Sequence, residues 1–124
     1  MGMDITILGQ VPAQKNDKRM AINRRTGKPF PVSGKNVKEW QKSAALQLAS
    51  SYKGKADGKV VVAYQFYVKD DRRRDIDNMI ATVNDAIVKA GLIEDDSWRW
   101  LSIGGADAEI DRENPRVELF ITEE

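Results

Sequence analysis

Asp75 and Asp77 stand two residues apart in the stretch Lys69-Asp70-Asp71-Arg72-Arg73-Arg74-Asp75-Ile76-Asp77-Asn78, and an acidic turn, Glu94-Asp95-Asp96, follows further along the chain. In extended backbone, side chains two apart project to the same side. Carboxylates held that close repel, and one takes up a proton unless a cation lies between them. A hard divalent cation relieves the repulsion, and Mg²⁺ asks little of the protein because water and phosphate oxygens fill most of its positions. Asp75, Asp77 and Asp96 are therefore the candidate ligands for Mg²⁺, with Mn²⁺ as the alternative ion, and Asp95 is the neighbour that competes with Asp96 for the assignment. Carboxylates with such an ion suit phosphodiester hydrolysis, in which the metal polarises a phosphoryl oxygen and acidifies a water. Lys69, Arg72, Arg73 and Arg74 are the candidates for holding the phosphate and offsetting its developing charge. Each residue also has a plainer role open to it. Asp77 is the expected N-cap of the helix that follows, Asp75 an arginine partner, Asp95-Asp96 an ordinary turn, and the arginines a solvated loop.

Composition narrows the chemistry. The 124 residues include no histidine and no cysteine. That excludes Cys/His zinc sites, Ser-His-Asp triads, Cys-His dyads and disulfides. Acid–base or metal chemistry falls to carboxylates, lysines, tyrosines and water. No run of about 18 apolar residues is present, so no membrane span is expected. No signal-peptide pattern is visible, and the cytoplasm is the expected location. The net charge is only +1, but it is segregated: residues 13–42 carry a net +7 and residues 94–124 a net −7. A solvated basic face is the plain reading of the first block, and a phosphate-binding surface the sharper one. Lys15, Lys18, Arg19, Arg24 and Arg25 belong to that block and are its candidate phosphate contacts in the first half.

These residues need elements to position them. Residues 4–8 read as a short strand, and residues 9–32 as a long polar loop punctuated by Pro12, Gly27, Pro29 and Pro31. Ser33 is the expected N-cap of a helix from about Lys35 to Ser51, with Val37, Trp40, Ala44, Leu48 and Tyr52 as its core stripe. Val60 to Val68 is a β-branched and aromatic run that fits a buried strand. Ile76, Met79, Ile80, Val83 and Ile87 then follow helical spacing up to Gly91. A strand within Trp98–Ile110, bent near Gly104-Gly105, and a last alternating strand over Val117, Leu119 and Ile121 are expected to pair as a hairpin. Of Trp98 and Trp100, one is expected to pack in the core. The order β, loop, α, β, α, β, β predicts one α+β domain over residues 1–124, a mixed sheet with two main helices. The β–α–β portion is expected to be a parallel crossover, which puts the Asp75/Asp77 junction at the C-terminal end of its strand. Asp96 precedes its own strand and has to fold back toward the head of the helix to join the pair.

The series Asp71-Arg72-Arg73-Arg74-Asp75-Ile76-Asp77-Asn78, Asn84-Asp85-Ala86-Ile87, Lys89-Ala90-Gly91 and Glu94-Asp95-Asp96 resembles the RusA-type Holliday junction resolvase family. The likeness covers about residues 69–122, including the closing Val117-Glu118-Leu119-Phe120-Ile121-Thr122, and the first half matches only in outline. It implies a homodimeric bacterial or phage endonuclease that uses Mg²⁺ or Mn²⁺ to cut four-way DNA junctions in recombination and repair. The family's metal carboxylates fall on Asp75, Asp77 and Asp96, with Asn78, Asp85 and Asp95 in support. Two symmetric cuts in a two-fold junction suit a dimer. One departure stands out: a functional lysine of the family, one turn after the second aspartate, is Ala81 here. The alternatives are therefore a weakened or inactive junction-binding protein, or a nuclease for other branched DNA.

Overall fold

The computed structural model describes residues 2–12, 18–33, 35–52 and 54–124. In chain order the elements are β1 (Gly2–Leu8), β2 (Lys18–Ile22), β3 (Pro29–Ser33), α1 (Lys35–Ser51), β4 (Val60–Val68), α2 (Ile76–Lys89), β5 (Leu101–Ile110) and β6 (Arg116–Glu123). A four-stranded mixed sheet has the order β1-β6-β4-β5. The α+β class, the two helices and the parallel β4–α2–β5 crossover are as the sequence predicts.

Alternation in β4 explains the layering. Val60, Val62, Tyr64 and Phe66 are buried, while the residues between them are half-buried. Opposite them, Phe66 pairs with Val117, Tyr64 with Leu119 and Val62 with Ile121, and β1 continues the layer with Ile5 and Ile7. Trp40, Ala44 and Leu48 of α1 and Met79, Val83, Ala86 and Ile87 of α2 join this core. Each large apolar side chain so enclosed contributes about 1.5–3 kcal/mol. The helices thus close one face of the sheet, and the other face stays open. No helix among the described residues is long and apolar enough to cross a membrane.

The expected hairpin between the last two strands is not formed. β6 lies between β1 and β4, antiparallel to both, while β5 pairs with β4 alone. The apolar content decides this. β6 buries Val117, Leu119 and Ile121, whereas β5 buries only Leu101 and leaves the residues from Ile103 to Ile110 exposed. A strand with one buried apolar residue suits an edge, and a fully alternating one suits the middle. The bend near Gly104-Gly105 is present. Val62 pairs with Ile103 and Ala63 with Gly105, so Gly104 is the extra residue of a bulge. A Cβ at Gly104 would sit 2.9 Å from the Val61 side chain, so any other residue would force Val61 to shift.

The long polar loop also holds structure the sequence reading missed: β2 and β3 form a two-stranded antiparallel sheet. Its turn is closed by Asn23, whose side chain accepts hydrogen bonds from the backbone N–H groups of Arg25 and Thr26, and by Gly27 N–H donating to the Asn23 carbonyl. Pro29 and Pro31 obscured β3, yet both strands of a two-stranded ribbon have a free edge that tolerates the missing N–H. Ser33 is the last residue of β3 and α1 begins at Lys35, and the Ser33 side chain, expected as the cap of that helix, lies outside what the structure describes. Lys15 lies outside the described residues.

Candidate active site and nucleic-acid interface

Residues 69–75 connect the C-terminal end of β4 to the head of α2. This loop is wound around a single guanidinium. Arg74 Nη1 donates to Asp70 Oδ1 at 2.9 Å, to the Arg72 carbonyl at 3.1 Å and to the Asp70 carbonyl at 3.3 Å. The Arg74 side chain is only 11% exposed. Asp70 Oδ1 also accepts the Arg72 backbone N–H. The Arg74 guanidinium, and then that N–H, hold the Asp70 carboxyl below its ordinary range. A second tie comes from the segment after β1, where Gln10 Oε1 accepts the Lys69 backbone N–H at 2.8 Å.

Asp75, and not Asp77, is the N-cap of α2. Its backbone is extended (φ −77°, ψ 124°), and its carbonyl accepts the N–H groups of Asn78 and Met79. The helix has to begin by Ile76 because Met79, one turn on, must reach the core. The Asp75 carboxylate makes no capping bond. It accepts instead from Asn78 Nδ2 at 3.3 Å and lies 3.6 Å from Arg73 Nε. Asp77 sits exposed in the first turn, where a negative charge is favoured by the helix dipole. Asp75, Asp77, Asn78 and Arg73 are thus brought together.

Asp85, Asp95 and Asp96 form a second group. With Gln41, Val88 and Lys89 they line a depression of about 370 Å³ between α1 and the second half of α2. Buried Gln41 donates to the Thr82 carbonyl at 3.3 Å and to Asp85 Oδ2 at 3.5 Å, fixing α1 to α2 beside the acids. Asp95 accepts the Ser97 N–H at 2.8 Å, and hydrogen bonds from the Ser97 side chain and backbone lower its pKa. The Tyr64 hydroxyl donates to Asn84 Oδ1 in the core. Burial pushes this phenol far above its ordinary value, and the charge of Asp96 adds to the rise, so Tyr64 remains a donor. Asp85 follows Asp77 by about 12 Å of helix at 1.5 Å per residue. Among the described residues, no three carboxylates gather closely enough to make a ready metal-holding group. Oxygen donors of this kind still fit a hard cation, which needs one or two carboxylates when water and phosphate complete its shell.

The basic candidates divide in the same way. Lys69, Arg72 and Arg73 are exposed around a cleft of about 590 Å³ that also touches α1, whereas Arg74 is committed to Asp70. Arg24 and Arg25 are exposed at the β2–β3 turn, and Lys18 and Arg19 lie on β2. A depression of about 690 Å³ on the open sheet face is lined by Asp4, Asp107 and Glu118 beside Phe120. Acids thus line the open sheet face, and cations surround the loop that leads to Asp75. Trp100 packs half-buried against the core, as expected of one of the pair, while Trp98 is exposed beside Lys59 and Arg99. Gln10, Gln41 and the Tyr64–Asn84 pair went unrecognised in the sequence. The only available signal was a polar residue directly beside an apolar stripe, as Gln41 is beside Trp40.

Comparison with known proteins identifies the family. The family model described as Endodeoxyribonuclease RusA matches residues 4–122. A Crossover junction endodeoxyribonuclease RusA from Aquifex aeolicus (strain VF5) is 32% identical over 91 residues, covering 73% of this chain and 69% of that relative. With nearly its whole length matched, acidic junction and basic loop included, this chain belongs to the RusA endodeoxyribonuclease family.

Proposed function

We propose that this chain resolves four-way DNA junctions by paired symmetric nicks, using Mg²⁺ or Mn²⁺, and acts in recombination and repair in the cytoplasm of a bacterium or of a phage-infected cell. The observation that carries this reading is the Asp75/Asp77 pair at the head of α2, flanked by Arg73 and reached through the cationic 69–74 loop, in a chain of this family. Asp75 and Asp77 would hold the ion, with Asp96 as the third carboxylate and Asn78, Asp85 and Asp95 in support. When bound, the metal supplies phosphoryl polarisation and an acidified water. The protein's own share is positional. Asn78 orients the Asp75 carboxylate, and Arg73 sits where it balances charge on a phosphate. DNA contacts are assigned to Lys69, Arg72 and Arg73, and to Arg24, Arg25, Lys18, Arg19 and Lys15 in the first half.

A synthetic four-way junction and a linear duplex, each incubated with Mg²⁺, Mn²⁺ or EDTA, test the reading. Symmetric nicks in the junction alone, dependent on metal, are expected. One observation favours a second reading: half-buried Ala81 stands where the family has a functional lysine. Tight, salt-dependent junction binding with no nicking under either metal would replace the nuclease by a binding protein.

The functional unit is proposed to be a homodimer. β5 is an edge strand of ten residues that exposes Ile103 and Ile110 and has no lysine, arginine or proline, so that only the Gly104 bulge and the acids Asp107 and Glu109 stand against strand pairing. An antiparallel pairing of two β5 strands centred between Gly105 and Ala106 sets Asp107 against Gly104 and Glu109 against Ser102, so no like charges meet. Light scattering is expected to give twice the mass of the 13.9 kDa chain, and Ile103→Lys to shift it toward one chain. A wild-type monomer at micromolar concentration would overturn the dimer.

A further inference from the structure

Trp40 belongs to the core stripe of α1 and is only 8% exposed. Its indole Nε1 is nevertheless buried without a hydrogen-bond partner among the described residues. An indole N–H is a donor only, and buried donors are paired as a rule. Gly9 lies over this edge of the ring. A Cβ built there would come 3.7 Å from Trp40 Cδ1 and 3.8 Å from Nε1, and Gly9 has a φ of +103°, which disfavours any side chain. Gly9 therefore lays bare backbone, and no side chain, against the N–H edge, which is buried yet left without an acceptor.

Trp40 and Gly9 border the cleft of about 590 Å³ whose other side is made by Lys69, Arg72 and Arg73. Asn36, in the first turn of α1, also borders it and brings the positive end of that helix. One carboxylate, Glu39, stands among these cations, so the balance is positive. The Gln10 clasp on Lys69 holds the two walls together. Arg73 connects the cleft to the acidic head of α2, since its Nε lies 3.6 Å from Asp75 Oδ1.

We infer that this cleft is a subsite for a DNA backbone phosphate next to the one presented at Asp75, with the Trp40 indole N–H as a neutral donor and Lys69, Arg72 and Arg73 as the cations around it. Trp40 is a binding residue here as well as a core residue. The identity of the ligand as DNA rests on the reading proposed above, whereas the anion-binding geometry does not. A phosphodiester suits the cleft because it offers acceptors to a donor that has none and negative charge to three cations.

The test uses the full chain in EDTA, so that binding is read without cleavage. Trp40→Phe keeps an aromatic ring and removes the N–H. It is expected to weaken binding to a four-way junction about tenfold, the scale of a lost hydrogen bond to a charged acceptor. The slope of log K against log salt should stay at the wild-type value, because a neutral donor releases no counterion. Arg73→Gln, in contrast, should lower that slope by about 0.9. In wild-type protein, the Trp40 indole ¹⁵N–¹H resonance, assigned by its loss in Trp40→Phe or by elimination with Trp98→Phe and Trp100→Phe, is expected to move downfield with junction DNA. It should move less with inorganic phosphate at equal concentration. Unchanged affinity in a folded Trp40→Phe, or an indole resonance that stays still while DNA binds, overturns the subsite. If the wild type binds no junction DNA, the nuclease reading falls. The phosphate titration then decides the subsite alone: a moving resonance keeps an anion site, and a still one removes it.

Discussion

Asp75→Asn and Asp77→Asn are each expected to reduce metal-dependent junction nicking by at least about 10²–10³-fold, the scale of losing a group that stabilises transition-state charge, while junction binding persists or tightens. The two halves of this expectation have separate causes. Asparagine keeps the shape and the hydrogen-bonding oxygen of aspartate but removes the charge that attracts a cation. At Asp75 the capping bonds come from the main-chain carbonyl, and asparagine is as good an N-cap residue as aspartate, so α2 should start where it does now. The Asn78 amide retains an acceptor at position 75. Arg73 loses a competing anion and becomes freer for phosphate. Thermal midpoints close to wild type, junction affinity at or above wild type and near-complete loss of nicks are the expected set. Undiminished nicking by both variants would remove the proposed metal pair. Asp96→Asn carries separate information, because Asp96 sits beside Asp85 and Asp95 and not at the head of α2. Its proposed role as third ligand requires a comparable loss of nicking. Wild-type nicking by that variant would restrict the metal to Asp75 and Asp77.

The sequence made the covalent neighbourhood of the site readable and left its three-dimensional ties hidden. Helical spacing in Ile76–Lys89 and alternation in Val60–Val68 follow from burying one face, so α2, β4 and the junction between them were legible. The partner of a strand is not encoded in its own alternation. Sequence adjacency suggested that β5 and β6 pair, whereas burial of Val117, Leu119 and Ile121 drew β6 between β1 and β4. The β2–β3 ribbon escaped notice because turn residues and prolines, taken alone, look the same in a loop and in an edge strand. At the site, residue type pointed to Asp75, Asp77 and four neighbouring cations. Only the fold separates those cations by what their head groups touch. Asp75 and Asp77 stand at the head of α2, whereas Asp85 of α2 meets Asp95 and Asp96 of the following turn beside its second half, a separation invisible in a list of aspartates.

Arg74 provides the second large effect, since the sequence placed it with Arg72 and Arg73 as a phosphate contact and the structure gives its guanidinium to the protein. Arg74→Ala is expected to lower nicking about 10²-fold through displacement of the loop that delivers Asp75, a loss on the scale that misplacement by about 1 Å can produce. The substitution strips the Asp70 carboxylate and the carbonyls of Asp70 and Arg72 of their shared donor. Arg74→Lys should restore part of the activity, because the three acceptors converge on the one nitrogen Nη1 and an ammonium also offers three donors on one nitrogen, though on a shorter stem. The salt slope of junction binding should remain that of the wild type, in contrast to Arg73, whose side chain is 92% exposed. A pH series supplies an independent readout. The Asp70 carboxyl is depressed in the folded chain, first by Arg74. Its contribution to stability is therefore complete above the unfolded carboxylate value of about 3.9 and is lost as pH falls through the lower folded value. The gap in thermal midpoint between wild type and Arg74→Ala should be constant from about pH 5 to 8 and should narrow below about pH 4, keeping the part owed to the backbone carbonyls of Asp70 and Arg72. A variant with wild-type thermal midpoint and a salt slope reduced by about 0.9 would instead make Arg74 a phosphate contact, and would mean that its bonds to Asp70 and Arg72 give way when DNA binds.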